Sequence, residues 1–358
     1  MRVLILYSEV MPYNMSIFRS LAAREVDLHI VHWDGKGRRS AYKFPPIEGV
    51  RTYKRSLFGL AQMLMLAIKV NPSVLIVNGW MDRSYILVAL LRRVFGTKVI
   101  LASDNVWIGS KRQQVARLLG RLGFFRSLFT HAWVPGELQF SFVNSLGIPH
   151  ERIIYGLYCA DICSLGDIYR LRWQGFKSKP KSTSEGLRTI LYIGRFETCK
   201  GVLDLIEAWK NIEQKIIGWR LVMIGSGSIR LLSCPKRRIE VLGFLQPDEL
   251  KNWLLKADCA VMPSHTEPWG VVVHEATASG LPIIVSDEVG SASMFFSQEF
   301  NGYSFQARSV VCLEKSLLKI ACLSEAKIKW FSENSRALSL RLTPDLVADA
   351  FLAKFCHS

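Results

Sequence analysis

Cysteine never clusters in this sequence. The eight cysteines of the 358-residue chain stand at positions 159, 163, 199, 234, 259, 312, 322 and 356, with no C-x-x-C pair. A structural zinc or a disulfide framework needs tighter spacing, so buried free thiols in a reducing compartment are the expectation. Histidine is also sparse and never at metal-ligand spacing: His29, His32, His131 and His150 read as packed or surface residues. No metal and no cofactor is assigned. Long apolar runs are missing too. The longest, Leu57 to Ile68, is too short to span a bilayer and is bounded by Arg55 and Lys69. Met1 and Arg2 lead directly into Val3-Leu4-Ile5-Leu6, which reads as a first strand rather than a secretory leader. There is no repeat of solenoid period and no low-complexity tract, which argues against repeat and disordered architectures.

Acidic residues are outnumbered. Lys+Arg total 46 and Asp+Glu 30, a formal charge of +16. The excess is uneven: residues 1–170 carry 22 basic and 11 acidic side chains, residues 171–358 carry 24 and 19. The N-terminal half is therefore expected to face something anionic. No recognised nucleic-acid-binding module appears, and the charge is not set on an aromatic-interleaved motif, so nucleic acid is not an expected partner. The stretch Gly225-Ser226-Gly227-Ser228-Ile229-Arg230 has Arg where a dinucleotide fingerprint needs its third glycine, which weakens a nicotinamide-enzyme reading.

What is present suits two α/β domains. The length exceeds what one core supports, and 49% hydrophobic residues supply material for two. Apolar runs Val3–Leu6, Leu28–His32, Val74–Val77, Val99–Ala102 and His131–Val134 alternate with helical patterns and suit buried parallel strands. A second series has strands Thr189–Ile193, Arg220–Ile224, Ile239–Leu242, Cys259–Met262 and Ile283–Val285. Its helices are predicted at Val202–Trp209, Pro247–Leu255 and through Glu275–Ser279. The polar, aperiodic stretch Tyr169–Glu185 is the expected linker. Right-handed crossovers make each half a doubly wound sheet, whose ligands sit at the carboxyl ends of the strands.

Two loops carry chemistry. Gly194-Arg195-Phe196-Glu197-Thr198-Cys199-Lys200-Gly201 leaves a strand and enters a helix. Its two cations beside a helix N-terminus favour a diphosphate; the plainer alternative is a solvated loop. Ser264-His265-Thr266-Glu267-Pro268-Trp269-Gly270 follows the strand Cys259–Met262, and Val271 to Ala276 then starts a helix whose free amides suit phosphate. Glu267 and Glu275 can accept hydrogen bonds from hydroxyls; a capping and a surface glutamate are the alternative. After the strand Val99–Ala102, Asp104 and Asn105 stand at a strand end and are candidate ligand contacts, an Asx turn being the alternative.

The order of the motifs is distinctive. Gly194-Arg195 with Lys200-Gly201 is followed by Gly225-Ser226-Gly227, Gly243-Phe244 and Glu267-Pro268-Trp269-Gly270 with Glu275-Ala276. Ala278-Ser279-Gly280-Leu281-Pro282 and Asn301-Gly302 complete the series. These elements, dense over about residues 187–305, closely resemble the retaining glycosyltransferases of family four (glycosyl transferases group 1). Those enzymes have the GT-B architecture, two doubly wound Rossmann-like domains facing a central cleft. The resemblance implies an acceptor-binding domain at 1–168 and a donor-binding domain at 186–341, with a C-terminal helix, 344–358, packing back on the first. It implies that Arg195 and Lys200 hold the donor diphosphate, that Glu267 meets the transferred sugar, and that Glu275 binds the ribose. Gly194, Gly270 and Val271 would lie near phosphate, Gly243 and Phe244 would line the base, and His265 would help shape the sugar pocket.

The implied activity is a retaining, metal-independent transfer from a UDP- or GDP-sugar to a glycan or lipid-linked acceptor, in bacterial surface polysaccharide assembly. The implied location is cytoplasmic, or peripheral on the inner face of the membrane. A sugar-nucleotide-binding relative without transfer activity, or a basic lipid- or nucleic-acid-binding protein, is the alternative. Residues 1–166 match the family only in outline: Ser8-Glu9-Val10-Met11-Pro12 replaces the paired glycines of many relatives, and Ser103-Asp104-Asn105 replaces a histidine. In Lys111–Leu122, the residues Val115, Leu118, Leu119 and Leu122 share one helical face beside Arg117 and Arg121. With Arg38-Arg39 and Arg92-Arg93, this stretch suits an anionic membrane surface. Ordinary packing of an amphipathic helix on its sheet is the alternative.

Overall fold

The structure is a computed structural model that describes residues 1–34, 42, 45–80, 82–174 and 186–356. It divides into two compact units, Met1–Cys159 with Pro344–Ser358, and Ala160–Thr343. Arg38 and Arg39 lie outside the described residues.

The first unit begins β1 (Arg2–Leu6), α1 (Pro12–Ala22), β2 (Asp27–His32), β3 (Val50–Lys54), α2 (Leu60–Val70), β4 (Val74–Asn78), α3 (Arg83–Val94) and β5 (Lys98–Ala102). It continues with α4 (Lys111–Arg121), α5 (Phe124–Leu128), β6 (His131–Val134), α6 (Glu137–Ser145) and β7 (Ile153–Tyr155). Among the described residues these strands form one parallel sheet in the order β3-β2-β1-β4-β5-β6-β7. Val3 to Leu6 and Val99 to Ala102 are fully buried because helices cover both faces of a parallel sheet, which is why these strands read as unbroken apolar runs. β3 escaped sequence reading because it is an edge strand of largely exposed residues with no apolar run. One face is covered by α2, α3, α5 and α6 through Met63, Tyr85, Phe125 and Phe142.

The second unit comprises α7 (Ile162–Gln174), β8 (Arg188–Ile193), α8 (Val202–Ile212), β9 (Trp219–Ile224), β10 (Ile239–Leu242), α9 (Pro247–Lys256) and β11 (Cys259–Met262). α10 (Val271–Ala278), β12 (Ile283–Ser286), α11 (Ala292–Phe295), β13 (Gly302–Phe305), α12 (Val310–Ala321) and α13 (Glu325–Ser339) follow. Its strands run parallel in the order β10-β9-β8-β11-β12-β13 among the described residues. The core between sheet and helices is built on Trp209, Leu221, Val261 and Phe331.

Two boundaries differ from expectation. The units divide between Cys159 and Ala160 rather than at 168, and Tyr169–Gln174, expected as linker, is the end of α7. The remainder of that linker, 175–185, lies outside the described residues. The physical reason is a pair of arginines, one buried and one half-buried. Arg172 donates to the carbonyls of Ala257 and Leu254, and Arg336 donates to those of Ile162 (3.3 Å) and Ala278 (3.2 Å). Burial lowers the Arg172 guanidinium to about 10. A charged side chain that reads as solvated in sequence here seals a helix against its domain.

The last helix, α14 (Pro344–Phe355), belongs to the first unit and lies along α1. Ser20 donates to Asp345 (2.6 Å), Arg24 pairs with Asp345 and Asp349, and the Phe351 and Trp133 rings meet at 5.2 Å.

Candidate active site

The strand order of the second unit reverses between β8 and β11, the point where doubly wound sheets open a crevice at their carboxyl edge. Both motif loops leave the sheet there. They are stitched together by backbone. The His265 and Thr266 amides donate to the Cys199 carbonyl (2.8 and 3.3 Å). Gly201 caps α8 at φ +65°, and a Cβ on it would lie 1.9 Å from the Pro263 oxygen. Only glycine fits both the conformation and the gap.

That stitching sets the side chains. The ammonium of Lys200 bonds the carboxylate of Glu267, with the two side chains only 13% and 21% exposed, so water screens the pair poorly. His265 donates Nε2–H to Asp204 Oδ2 at 2.8 Å, on the first turn of α8. Arg195 is exposed and joins no ion pair among the described residues. Its carbonyl accepts from the Tyr192 hydroxyl at 2.8 Å, which anchors the loop.

The loop after β9 closes one side. Gly225 and Gly227 read in sequence as a weak nucleotide fingerprint, yet their geometry has another cause. A Cβ on Gly225 would stand 1.8 Å from the Gly194 oxygen, and one on Gly227 2.3 Å from the Phe196 oxygen. The Phe196 amide donates to the Ser226 carbonyl (3.0 Å), and Glu197 accepts from the Ser228 amide (3.2 Å) and hydroxyl (2.6 Å). Those Ser228 bonds hold the Glu197 carboxyl below its usual range. These glycines allow loop-on-loop contact. Beyond β10, Gly243 faces open space and Phe244 presents an exposed ring.

The second motif loop is held from its other side by residues sequence reading passed over. The Glu267 amide donates to the Glu288 carbonyl (3.1 Å) and the Gly290 amide to the Glu267 carbonyl (3.0 Å). Ser291 donates through its amide to Trp269 O (2.8 Å) and through Oγ to Gly270 O (2.8 Å). Gly270, at φ +87°, is the N-cap of α10 without any side-chain cap, which leaves the first-turn amides available for an anion. Val271 opens that turn and Glu275 stands one turn further on the same face. Glu275 is half-buried, and burial raises its carboxyl to about 7.

His274 points inward. Its ring stacks on Phe295 (3.9 Å, 9°), Nδ1 accepts from the Ala160 amide (3.1 Å), and Nε2–H donates to Ser339 O (3.0 Å). Burial keeps this imidazole neutral, its pKa lowered to about 4. His274 thus fixes the rotation of α10, the helix that carries Glu275.

Asp104 and Asn105 lie in the first unit, after β5. Asn105 donates through its amide and its Nδ2 to the Ser103 hydroxyl (3.4 Å each), a turn closed by serine rather than an Asx turn. Asp104 instead accepts from the Tyr158 hydroxyl at 3.0 Å. Tyr158 meets Tyr13 edge-on (4.8 Å), and Asn14 donates to the Tyr7 hydroxyl (3.3 Å). Tyr7, Tyr13, Asn14 and Tyr158 were not legible as site residues. With Asp104 they come from three distant segments that only the sheet's carboxyl edge gathers.

Residues 175–336 match the family model of glycosyl transferases group 1. The chain is 31% identical to a glycogen synthase of Mycobacterium tuberculosis over 181 residues, 49% of this chain and 42% of that protein. It is 29% identical to the D-inositol 3-phosphate glycosyltransferase of Xylanimonas cellulosilytica over 126 residues, 32% of this chain and 29% of that one. The chain thus matches less than half the length of these curated relatives. Among solved structures, HepE of Anabaena, in complex with UDP and glucose, superposes with a TM-score of 0.70 at 14% identity, covering 99% of each chain. Two parallel Rossmann-like sheets, as in GT-B glycosyltransferase structures, are the fold of this protein, and it is residues 175–336 that match the glycosyl transferases group 1 family.

Proposed function

We propose that this protein is a retaining glycosyltransferase that moves a sugar from a UDP- or GDP-sugar to a glycan or lipid-linked acceptor without a metal ion. The observation that carries the reading is the partly buried pairing of Lys200 with Glu267 beside the uncapped start of α10, at the switch point of the sheet. A diphosphate seated on the α10 amides replaces Glu267 as the partner of Lys200 and takes Arg195 as a second cation. Negative charge develops on the leaving diphosphate as the anomeric C–O bond breaks, and these fixed cations stabilise it. Glu267, released from Lys200, accepts hydrogen bonds from the transferred sugar, while Glu275 meets the ribose and Phe244 the base. The acceptor oxygen bonds the anomeric carbon on the face the diphosphate leaves, and its proton passes to the departing phosphate oxygen. In the first unit, the Asp104–Tyr158 pair is the acceptor contact.

The relatives support a nucleotide-sugar donor. One is a glycogen synthase, and the structurally similar HepE was captured with UDP and glucose. Surface polysaccharide assembly in the cytoplasm is the pathway we assign, from the scattered thiols and the basic first unit. A thermal-shift screen of UDP, GDP, ADP and their sugar conjugates, with Glu275→Ala alongside, tests the donor site. Selective stabilisation by one nucleotide, lost in the variant, is the expected result; no shift with any of them rejects it. Chelator is expected to leave transfer unchanged, and strict divalent-ion dependence would contradict the cation roles of Arg195 and Lys200.

A further inference from the structure

The packing of α4 inverts the usual arrangement of an amphipathic helix. A surface helix ordinarily buries its apolar stripe. Here the body is touched instead by Gln113, Ala116 and Gly120, spaced as one face. Gly120 makes that approach: a Cβ on it would lie 2.5 Å from the Leu146 oxygen, and one on Gly147 2.6 Å from the Gly120 oxygen. Gln113 locks the preceding loop, accepting from the Ile108 amide (2.8 Å) and donating to Val106 O (2.7 Å). The helix is seated by its small and polar residues, and Val115, Leu118 and Leu122 are left 58%, 58% and 77% exposed.

The surroundings continue the pattern. Arg112 borders the outward stripe on one side, Arg117 and Arg121 on the other, and all three are exposed. The same helical layer leaves Val94, at the end of α3, 84% exposed and Phe124, at the start of α5, exposed as well. Residues 51–136, which hold this layer, contain 13 Lys and Arg against two acidic residues, Asp82 and Asp104. Asp82 is neutralised by Arg55 at 2.8 Å. The layer therefore combines large apolar side chains in water with a single sign of charge around them.

We propose that the outward face of α4, with the neighbouring ends of α3 and α5, docks the protein on an anionic lipid bilayer. The leucines enter the headgroup boundary and the bordering arginines meet lipid phosphates. Charge complementarity selects this occupant: an apolar stripe rimmed by arginine is the composition of an interfacial helix. The inference stands apart from the donor site, which lies in the other unit.

Flotation of the full chain with vesicles tests it. The protein is expected to float with phosphatidylcholine–phosphatidylglycerol vesicles at low salt and to remain behind with phosphatidylcholine alone. Leu118→Ser/Leu122→Ser should lower partitioning by roughly tenfold or more, and Arg117→Ala/Arg121→Ala by about tenfold or more. All four side chains are exposed, so the thermal midpoint and its shift by nucleotide should match the parent chain. Retained flotation with loss of the nucleotide shift would reject the donor reading and leave docking supported. Failure of the parent chain to float, equal flotation of the variants, or a parent dimer that Leu118→Ser/Leu122→Ser converts to monomer would overturn the membrane assignment.

Discussion

Lys200 and Glu267 meet across two loops that are 67 residues apart in the chain, and each neutralises the other in a partly buried position. If a diphosphate competes for Lys200, removing either partner has unequal effects. Lys200→Ala should lower transfer by about 10²-fold or more, because a transition-state cation is lost. Glu267→Gln frees the lysine and should preserve or tighten UDP binding while reducing kcat. Transfer rates within about twofold of the parent for Lys200→Ala would reject the phosphate role.

Gly201 offers a purely structural test. Its positive φ and the 1.9 Å approach of Pro263 O leave no room for a side chain. Gly201→Ala should cost about 2 kcal/mol or more and should weaken nucleotide binding by separating the two loops. Denaturant unfolding beside nucleotide titration reads both effects. A variant of parental stability would mean that the loops yield readily.

Glu275 ties pH to donor binding. Its folded-state pKa, raised by burial to about 7, exceeds the ordinary carboxyl value. The protonated form is therefore favoured in the folded chain, and stability falls as pH rises from the usual carboxyl range through about 7. Nucleotide affinity should move oppositely and strengthen through pH 7, because the ionised carboxylate accepts from paired hydroxyls. Glu275→Gln should flatten both profiles. Titration calorimetry across this range decides, and a flat parental affinity profile places Glu275 away from the nucleotide.

His274 predicts acid lability of the opposite sign. Its pKa is lowered to about 4, so the stability it confers is complete above the ordinary imidazole value near 6.5 and is lost as pH falls toward 4. His274→Ala should cost about 2–4 kcal/mol at neutral pH, since it empties a stacked site and removes the bonds to the Ala160 amide and the Ser339 carbonyl. Thermal melts between pH 4 and 8 should converge for parent and variant at the acid end; parallel curves would show that His274 titrates elsewhere.

The acceptor assignment rests on Asp104 and Tyr158, joined at 3.0 Å. Tyr158→Phe should lower kcat/KM for acceptor by about tenfold, the loss of one hydrogen bond to a charged group, with the donor Kd unchanged. An equal loss in donor affinity would indicate a general structural effect.

Strand identity was legible in the chain because buried parallel strands need continuous Val, Ile and Leu, and β6, β10 and β11 run as the periodicity predicts. The glycine and lysine motifs were legible for the same local reason: a sharp turn, a helix start and a cation leave their mark within eight residues. The edge strand β3 and the helix α7 were not. β3 lacks an apolar run, and α7 hides its buried Arg172 behind a solvent-like composition. Only tertiary structure decided which partner each motif residue meets. Lys200 finds Glu267, His265 finds Asp204, and Tyr158 finds Asp104 because parallel crossovers bring distant loop ends to one sheet edge. Only tertiary structure, likewise, turned the leucines of α4 outward: amphipathicity sets the stripe, but the close backbone contact at Gly120 selects which face is buried.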